Sequence, residues 1–352
     1  MLVLGVGVLI GAGVLLWENS AESRSVEEED VRRGAPREVA AKTLSSSRLR
    51  TLASEVNMKH FWRSLLRPML VERTAGSAGN KLVREHISSH VQSLSAGWTV
   101  ELDLFDAFTP RGILSFGNVI ATLDPDAPRR MVLACHLDSK VIPNDERGRP
   151  FIGATDSAVP CSIILEAVTA LDARLKQLKE RGSQLTLQLF FLDGEEAIAE
   201  WTRTDSLYGA RHLAQRLERA WMPGTSISQL QAIDVFILLD LLGAPDPVFT
   251  SHFSETHEQF LRLRTLEKRL HDLNLLKSHP YENYYFRLYP SSPVEDDHMP
   301  FVRRGVPALH IISTPFPAVW HTHEDTEENL HRPTILNLLR ILAAFLAETL
   351  SL

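Results

Sequence analysis

Short apolar runs alternate along the chain with longer segments of helical periodicity, and this alternation restricts the fold more than any other feature. The runs, each bounded by turn residues, are residues 118–123, 131–135, 185–192, 235–239 and 308–312. The helical segments are residues 162–180, 207–220, 255–276 and 333–350. Strands that alternate with helices form parallel sheets, because each connection must cross over one face of the sheet. The sequence therefore predicts an α/β fold with a single open, mostly parallel twisted central sheet and helices on both faces.

The size and charge of the chain limit the kinds of function that it performs. The chain has 352 residues, of which 44% are hydrophobic, so it is long enough to bury a large core. Its formal net charge is -7, so no overall positive field attracts nucleic acid or anionic lipid. With two cysteines it is not a small disulfide scaffold. We expect one folded domain behind an N-terminal appendage, and no nucleic-acid partner.

Residues 1–17 carry no charged side chain, which is typical of a segment that enters a membrane. Their number is short for a membrane span, which needs about 20 residues. It is long for the core of a signal peptide, which has about 7 to 15. We favour an uncleaved anchor over a cleaved signal peptide, because no small-x-small cleavage site follows. A buried core helix is a third interpretation, which the lack of helical amphipathicity disfavours.

The segment after this apolar run, residues 18–47, is acidic and rich in Ser. Such a composition cannot bury enough apolar surface to form a core, so we expect a flexible stalk. From Leu49 onward, apolar residues recur mainly every three or four positions, which is typical of a helix with one buried face. We therefore place the folded domain at residues 48–352.

Side chains that bind metal ions lie at the carboxyl ends of the predicted strands. Those that end or follow the second, third and fourth strands are His136, Asp138, Glu195, Glu196 and Asp240. Ligands of open α/β sheets bind at the carboxyl ends of the strands. Carboxylates and imidazoles on rigid elements are ligands of zinc and similar cations. Together these residues predict a metal site, although a hydrogen-bonded pair would explain His136 and Asp138 if they stood alone.

Two adjacent carboxylates, Glu195 and Glu196, follow a fully apolar strand. One explanation of such a pair is a solvated turn. The other gives the two groups separate roles, in which one binds metal and its neighbour acts as a general acid and base. Asp156 also has two interpretations, a helix N-cap and a metal ligand. Asp240 ends an apolar strand, so we expect it to be buried and to need a partner or a role.

Four residues near the C-terminus complete the predicted site. Asp296 either solvates a turn or belongs to the site, and His310 is either a core histidine or a site residue. Trp320 and His321 lie in a loop with two prolines. Such a loop holds binding residues at a low cost in conformational entropy. We include all four in the predicted site.

Five segments of the chain carry a specific resemblance when they are taken in order. They are GATDSAVPC, FFLDGEEA, LLDLLGAP, EDDHMPFVRRGVP and STPFPAVWHT. Together they resemble the glutaminyl-peptide cyclotransferases, the animal glutaminyl cyclases, which share a fold with the di-zinc aminopeptidases. The resemblance covers residues 58–352. It is strongest to the Golgi-resident branch of the family.

This resemblance implies roles for individual residues. It implies that one zinc ion per chain is held by Asp156, Glu196 and His321. It implies that Glu195 is the catalytic acid and base. The remaining residues that it places in the active site are Asp240, Asp296, Trp201, Phe316 and Trp320, the last three being pocket aromatics. We add His310 to the residues that contact the substrate.

The activity implied by the resemblance is conversion of an N-terminal glutamine of peptides and proteins to pyroglutamate, with release of ammonia. The family's matching cysteines imply a disulfide between Cys135 and Cys161. With residues 1–17 as an anchor, we expect a single-pass Golgi membrane protein whose catalytic domain is lumenal, with a secreted protein as the alternative. We expect the catalytic domain to be monomeric.

Two other functions remain open at the level of sequence. A di-zinc aminopeptidase would bind a second zinc ion, and His136 and Asp240 are both present to hold it. A receptor-like ectodomain without activity would keep the fold and lose a zinc ligand or the catalytic acid and base. All of those residues are present in this chain, which disfavours the ectodomain, whereas the resemblance to the cyclases, which use one zinc ion, disfavours the aminopeptidase.

Overall fold

The computed structural model describes residues 42–279, 284–289 and 294–352. The apolar segment 1–17 and most of the stalk predicted at residues 18–47 lie outside these ranges. Leu44 is buried and its N–H donates a hydrogen bond to Glu348 Oε1 over 2.9 Å. The folded part therefore begins a few residues earlier than the predicted boundary. Among the helices within the described ranges, none has both the length and the apolar character that a bilayer span requires.

The described residues contain a six-stranded sheet in the order β1-β2-β4-β3-β5-β6. The strands are β1 Thr99–Thr109, β2 Gly112–Thr122, β3 Arg129–His136, β4 Leu185–Leu192, β5 Ile233–Asp240 and β6 Ala308–Ile312. Strands β4, β3, β5 and β6 are parallel, whereas β2 is antiparallel to both β1 and β4. The predicted mostly parallel sheet is confirmed, with β2 as the reversed strand.

The helices lie on both sides of this sheet. Those of the described residues are α1 Ser46–Glu55, α2 Met58–His60, α3 Ala78–Ser93, α4 Val159–Ala170, α5 Asp172–Glu180, α6 Tyr208–Arg219, α7 His257–Asp272, α8 Met299–Val302 and α9 Arg332–Thr349. A π-helical stretch and a 3-10 turn, Phe61–Leu66 and Arg67–Met69, continue α2. The predicted helix at 162–180 is two helices, because Leu171 between them leaves helical geometry.

The two faces of β3 show how the core is divided. Leu133 and Cys135 face the larger cluster, to which α4 and α9 contribute. Val132 and Ala134 alternate with them and face the smaller cluster, which contains residues of α6 and Phe301 of α8. Because successive side chains of a strand point to opposite faces, both faces of the sheet are covered by apolar contacts. The functional residues are thereby left to the strand ends.

Cys135 on β3 and Cys161 on α4 form a disulfide bond, as the resemblance implies. The two cysteines are 26 positions apart in the sequence. A crosslink that closes a loop of this length stabilises the folded state by roughly 3 to 4 kcal/mol in the chain-entropy model. We expect the double variant Cys135→Ala, Cys161→Ala to lose about that much free energy of unfolding in denaturant titrations without reductant. Equal midpoints for the variant and the oxidised wild type would contradict this.

His90 makes the stability of the folded domain depend on pH. It lies on α3, and its Nε2 is 2.8 Å from Thr169 Oγ1. Burial and the neighbouring imidazoles of His60 and His86 lower the pKa of His90 to about 4. In the unfolded chain the pKa of His90 is about 6.5. At pH values between this pKa and that of the folded chain, His90 is protonated in the unfolded chain and neutral in the folded chain. This contribution to stability is therefore lost as the pH falls from about 6.5 toward 4.

The variant His90→Gln isolates this contribution, because the amide keeps a group that can bond Thr169 and does not titrate. We expect the free energy of unfolding of the variant to decline less than that of the wild type between pH 6.5 and pH 4. Urea titrations at several pH values would measure both. Parallel curves for the two proteins would show that His90 does not carry the dependence.

Candidate active site and metal centre

Three strand ends and two loops bring the predicted polar residues to one edge of the sheet. The strands supply His136 at the end of β3, Glu196 after β4 and Asp240 at the end of β5. The turn before α4 supplies Asp156, and the loop after β6 supplies His321. All of them are buried except His321, which is partly exposed. Residues far apart in sequence are therefore close in space at the carboxyl edge of the parallel strands.

Asp156, Glu196 and His321 form a compact cluster. Each offers one ligand atom, and these atoms lie within 4.8 Å of one another. Nε2 of His321 is 3.2 Å from Asp156 Oδ2 and 3.1 Å from Glu196 Oε1. Asp156 does not cap α4, because its carboxylate is directed at two imidazoles, those of His136 and His321. The helix N-cap interpretation of Asp156 is therefore wrong.

The charges of this cluster match a cation. Burial opposes the charged form of His321, but hydrogen bonds with Asp156 and Glu196 outweigh it and raise the pKa of His321 to about 9. Although burial raises it, contacts with His136 and His321 hold the pKa of Asp156 well below its ordinary value. Asp156 Oδ2 is buried and faces Nε2 of His321. Two carboxylate oxygens and an imidazole nitrogen are a donor set that fits zinc with one position left open.

His136 lies between two carboxylates on the other side of Asp156. Its Nε2 is 3.1 Å from Asp156 Oδ1 and 3.2 Å from Asp240 Oδ1. Burial opposes a charge on the imidazole, but the surrounding carboxylates outweigh it and raise the pKa of His136 well above its ordinary value. Asp240 Oδ1 also accepts hydrogen bonds from Leu241 N and from the Ser157 hydroxyl. His136, Asp156 and Asp240 make a second candidate cation cluster.

The turn that carries the two adjacent glutamates is held by Asp138. Its Oδ1 accepts a hydrogen bond from Glu195 N and its Oδ2 accepts one from Glu196 N, each over 3.2 Å. Both glutamate side chains are buried, so the solvated-turn interpretation of the pair is wrong. A carboxylate that binds two successive amides fixes the direction in which the turn presents its side chains. Glu195 and Glu196 consequently line the same cavity, but each has its own set of neighbouring side chains.

Glu195 and Asp296 are carboxyl groups with a strong tendency to hold a proton. Burial and the carboxylates of Glu196 and Asp296 raise the pKa of Glu195 well above its ordinary value. Burial and the carboxylate of Asp240 raise the pKa of Asp296 in the same direction. Like charges this close in a poorly solvated site cannot all ionise. The site therefore contains carboxyl groups that can act as proton donors as well as acceptors.

His310 occupies a different place from the one predicted. It is buried on β6, and its Nε2 is 2.7 Å from Asp296 Oδ2. It does not line the cavity described below, so the prediction that it contacts the substrate is corrected. As a residue of a fully buried strand, it faces the interior behind Asp296. Its contact is with the carboxyl group, which it orients.

A cavity of about 160 Å³ opens beside the metal cluster. Its lining includes Asp156, Glu195, Glu196, Asp240, Asp296 and His321 together with the aromatic residues Trp201, Phe316 and Trp320. Phe316 and Trp320 pack edge to face with ring centroids 4.9 Å apart, and Trp320 stacks on His321 at 3.9 Å. Trp201 and Trp320 are 41% and 38% exposed, so they form the mouth. The structure thus gives the polar groups an apolar entrance.

Lys140 is a residue of the site that the sequence reasoning missed. Its Nζ is 3.0 Å from Glu196 Oε2, the oxygen that does not face His321. This contact orients the carboxylate so that Oε1 is presented to the cluster. A lysine two positions after Asp138 carries no pattern that marks it as functional. Its only signal is its proximity to the predicted strand end.

Arg73 is the second residue that was missed, and it is 1% exposed. Its guanidinium donates to five carbonyl oxygens, those of Val71, Leu137, Ile152, Gly153 and Asp156. Burial lowers the pKa of Arg73 from its ordinary value, whereas the nearby carboxylates of Asp156 and Asp138 raise it. The five acceptors belong to irregular backbone around the cluster. Arg73 therefore ties this irregular backbone together by donating to its buried carbonyls.

The chain is similar in sequence and in structure to several known proteins. The sequence model of Peptidase family M28 matches residues 118–346. The chain is 58% identical to the glutaminyl-peptide cyclotransferase-like protein of Mus musculus, over 88% of the chain and 80% of that protein. It is 48% identical to the glutaminyl-peptide cyclotransferase of Gloydius blomhoffii, over 88% and 86%. The crystal structure of Macrostomum lignano glutaminyl cyclase matches with a TM-score of 0.80 and 37% identity, covering 89% of this chain and 95% of that one.

Proposed function

Because the chain belongs to the glutaminyl-peptide cyclotransferases within peptidase family M28, we propose that it converts the N-terminal glutamine of peptides and proteins to pyroglutamate with release of ammonia. One observation carries this proposal for the chain itself. A buried carboxyl group with a raised pKa, Glu195, lines the same cavity as the Asp156, Glu196 and His321 cluster. An acid and base beside a cation site is the arrangement that attack on an amide carbonyl requires.

In the reaction one C–N bond forms, another C–N bond breaks, and one proton moves from the attacking nitrogen to the leaving nitrogen. The α-amine nitrogen of the substrate attacks the carbonyl carbon of its own side-chain amide, so a new C–N bond closes the ring. The bond from that carbon to the side-chain nitrogen breaks, and the nitrogen leaves as ammonia. Glu195 takes the proton from the attacking amine and delivers it to the leaving nitrogen. A raised pKa suits a group that must act first as base and then as acid.

Asp156, Glu196 and His321 would hold one zinc ion. Zinc bound there supplies Lewis-acid polarisation of the side-chain carbonyl oxygen. Lys140 keeps Glu196 oriented toward the cluster through its contact with Oε2. One ion per chain is part of the proposal. A di-zinc aminopeptidase would hold its second ion where His136 lies between Asp156 and Asp240.

The remaining side chains of the cavity orient the substrate and manage its protons. Asp240 lines the cavity and holds the α-amine of the substrate. Asp296 is held in place by His310. Its carboxylate raises the pKa of Glu195 and so stabilises the protonated form of Glu195. Trp201, Phe316 and Trp320 form the apolar entrance that excludes water. Ring closure is already intramolecular, so selection of the reactive conformer is the main contribution of these contacts.

The cellular setting is part of the proposal. We propose that residues 1–17 attach the protein to the Golgi membrane with a lumenal catalytic domain, and that the domain is monomeric. The disulfide between Cys135 and Cys161 supports an oxidising compartment. Carbonate extraction of membranes from cells that express the full chain would test the attachment. Recovery in the pellet supports an anchor, whereas recovery of a shortened chain in the medium supports the secreted alternative.

The activity is tested on the purified full chain with a peptide that begins with glutamine, by mass spectrometry with zinc quantified on the same sample. Loss of the mass of one ammonia with one zinc ion per chain is the expected result. Release of free glutamine with two zinc ions would instead establish an aminopeptidase. An unchanged peptide, with folded and zinc-loaded protein, would establish an ectodomain without this activity.

A further inference from the structure

The loop between β4 and α6 carries Trp201, the aromatic residue of the cavity with the least support. Residues 199–204 of this loop are exposed. Its base is closed by the hydrogen bond from Leu207 N to Glu195 O, over 3.0 Å. Within the described residues, no main-chain to main-chain hydrogen bond involves 197–206. The conformation of the loop above its base therefore depends on side chains.

Asp205 supplies the side-chain contacts to the three residues directly before Trp201. It is buried, although the six residues before it are exposed. Its carboxylate accepts hydrogen bonds from the amides of Ile198, Ala199 and Glu200 over 2.9 to 3.0 Å. It accepts a fourth from the Tyr208 hydroxyl over 2.7 Å. One carboxylate thus holds three successive amides, and the residue that follows them is Trp201.

The charge state of Asp205 suits this role. Burial works against ionisation, but the hydrogen bonds from Tyr208 and from the three amides outweigh it and lower the pKa of Asp205. Successive backbone amides that converge on one point form a concave anion site, called a nest. Here the anion that fills the nest belongs to the chain itself. Removing its charge would leave three amides without a matched acceptor.

The other two aromatic residues of the cavity do not need such support. Phe316 and Trp320 pack against each other, and Trp320 also stacks on His321. In the part of the chain that the structure describes, no ring contact involves Trp201. The position of Trp201 at the mouth is therefore set by the backbone on its two sides. Asp205 holds the amides of residues 198–200 before it, and the Ser206 hydroxyl donates to the carbonyl oxygen of Thr202 after it.

We propose that Asp205 is a positioning residue for peptide binding, which holds Trp201 at the mouth of the cavity by binding the amides of residues 198–200. The proposal rests on the proposed function, because it assigns Trp201 to the recognition of the peptide. It assigns Asp205 to the binding of the peptide and not to the chemical step. Glu195 lies at the base of the loop, where contacts separate from those of Asp205 hold it: its carbonyl accepts from Leu207 N and its amide donates to Asp138.

Hydrogen exchange tests the positioning without any assay of activity. In Asp205→Asn, we expect the amides of residues 198–200 to exchange faster by roughly tenfold or more, because a side-chain amide presents a donor where an acceptor is needed. Tyr208→Phe is the matched control, since it removes only the hydroxyl contact and keeps the ring that packs on Phe116. Equal protection of these amides in Asp205→Asn and the wild type would overturn the proposal.

Steady-state kinetics with a glutamine-initiated peptide test the consequence. We expect Asp205→Asn to raise KM by roughly tenfold, with kcat within about twofold, because it removes binding that is equal in ground and transition states. We expect the same substitution to change KM little in a Trp201→Ala background. A general loss of structure would instead lower the active fraction, and hence kcat, in both backgrounds.

The two proposals fail in different ways. If the wild type does not cyclise the peptide, the proposed function is wrong, whereas the exchange rates still report on Asp205. If the wild type is active and the effects of Asp205→Asn and Trp201→Ala on KM are additive, Asp205 does not act through Trp201, and the inference is wrong. Non-additive effects together with faster amide exchange support it.

Discussion

Replacing Glu195 with Gln is expected to lower kcat for cyclisation by roughly 10²- to 10⁴-fold, the usual contribution of a general acid and base. Glutamine has the shape of glutamate but cannot take the amine proton. Glu195 is buried among carboxyl groups that raise its pKa, so the neutral amide removes a repulsion rather than a stabilising charge. We therefore expect the folded state to be as stable as that of the wild type or more stable.

The measurement is kcat by continuous detection of ammonia, with the melting temperature determined on the same preparations. Glu295→Gln is the matched control, because Glu295 lines the same cavity but is exposed and paired with Arg303 at 3.2 Å. We expect its kcat to stay close to that of the wild type, because loss of an exposed ion pair perturbs the surrounding structure little. A similar loss in both variants would remove Glu195 from the proton-transfer role.

Replacing His321 with Ala is expected to abolish retention of zinc and, with it, activity. Loss of a partner outside the ligand set weakens zinc binding by roughly 10- to 100-fold. His321 supplies the only nitrogen of the Asp156, Glu196 and His321 cluster, so its removal should weaken binding by more than this. The substitution also leaves two buried carboxylates without the imidazole that their charges stabilise.

Zinc content after dialysis, measured by mass spectrometry of the metal, checks this prediction. His323→Ala is the matched control, since His323 lies two positions further along the same loop and outside the cation clusters found in the described residues. It should retain zinc and activity. Full zinc content in His321→Ala would show that the ion is bound elsewhere.

The fold was largely predictable from the sequence, and its one missed strand shows the limit of pattern reading. Five strands were recognised because both of their faces are buried, which produces continuous apolar runs. Strand β1 lies at the sheet edge, and its side chains are mostly exposed or half-buried. Its sequence, TVELDLFDAFT, has no continuous apolar run. Its residues 100–104 instead alternate apolar and polar side chains, a strand signal that differs from the continuous runs of the buried strands.

The site was predictable where its residues end strands, and less so where they act through other residues. Asp156, Glu196 and His321 converge because the topology places their segments at one edge. Lys140 and Asp205 act by holding a carboxylate and a loop, and such contacts depend on three-dimensional proximity alone. The sequence predicts a contact between His310 and the substrate because it places an imidazole on a strand near the site. It does not show that Asp296 lies next to this imidazole.

The contacts of Arg73 set a lower limit on the length of a functional fragment. The region that matches the family model begins at residue 118 and contains all the proposed catalytic and zinc-binding side chains. A fragment trimmed to that region would lose Arg73, which donates to the carbonyls of Leu137, Ile152 and Asp156. Each unpaired buried group costs on the order of 1 to 3 kcal/mol. The smallest active unit of this chain therefore begins upstream of Arg73.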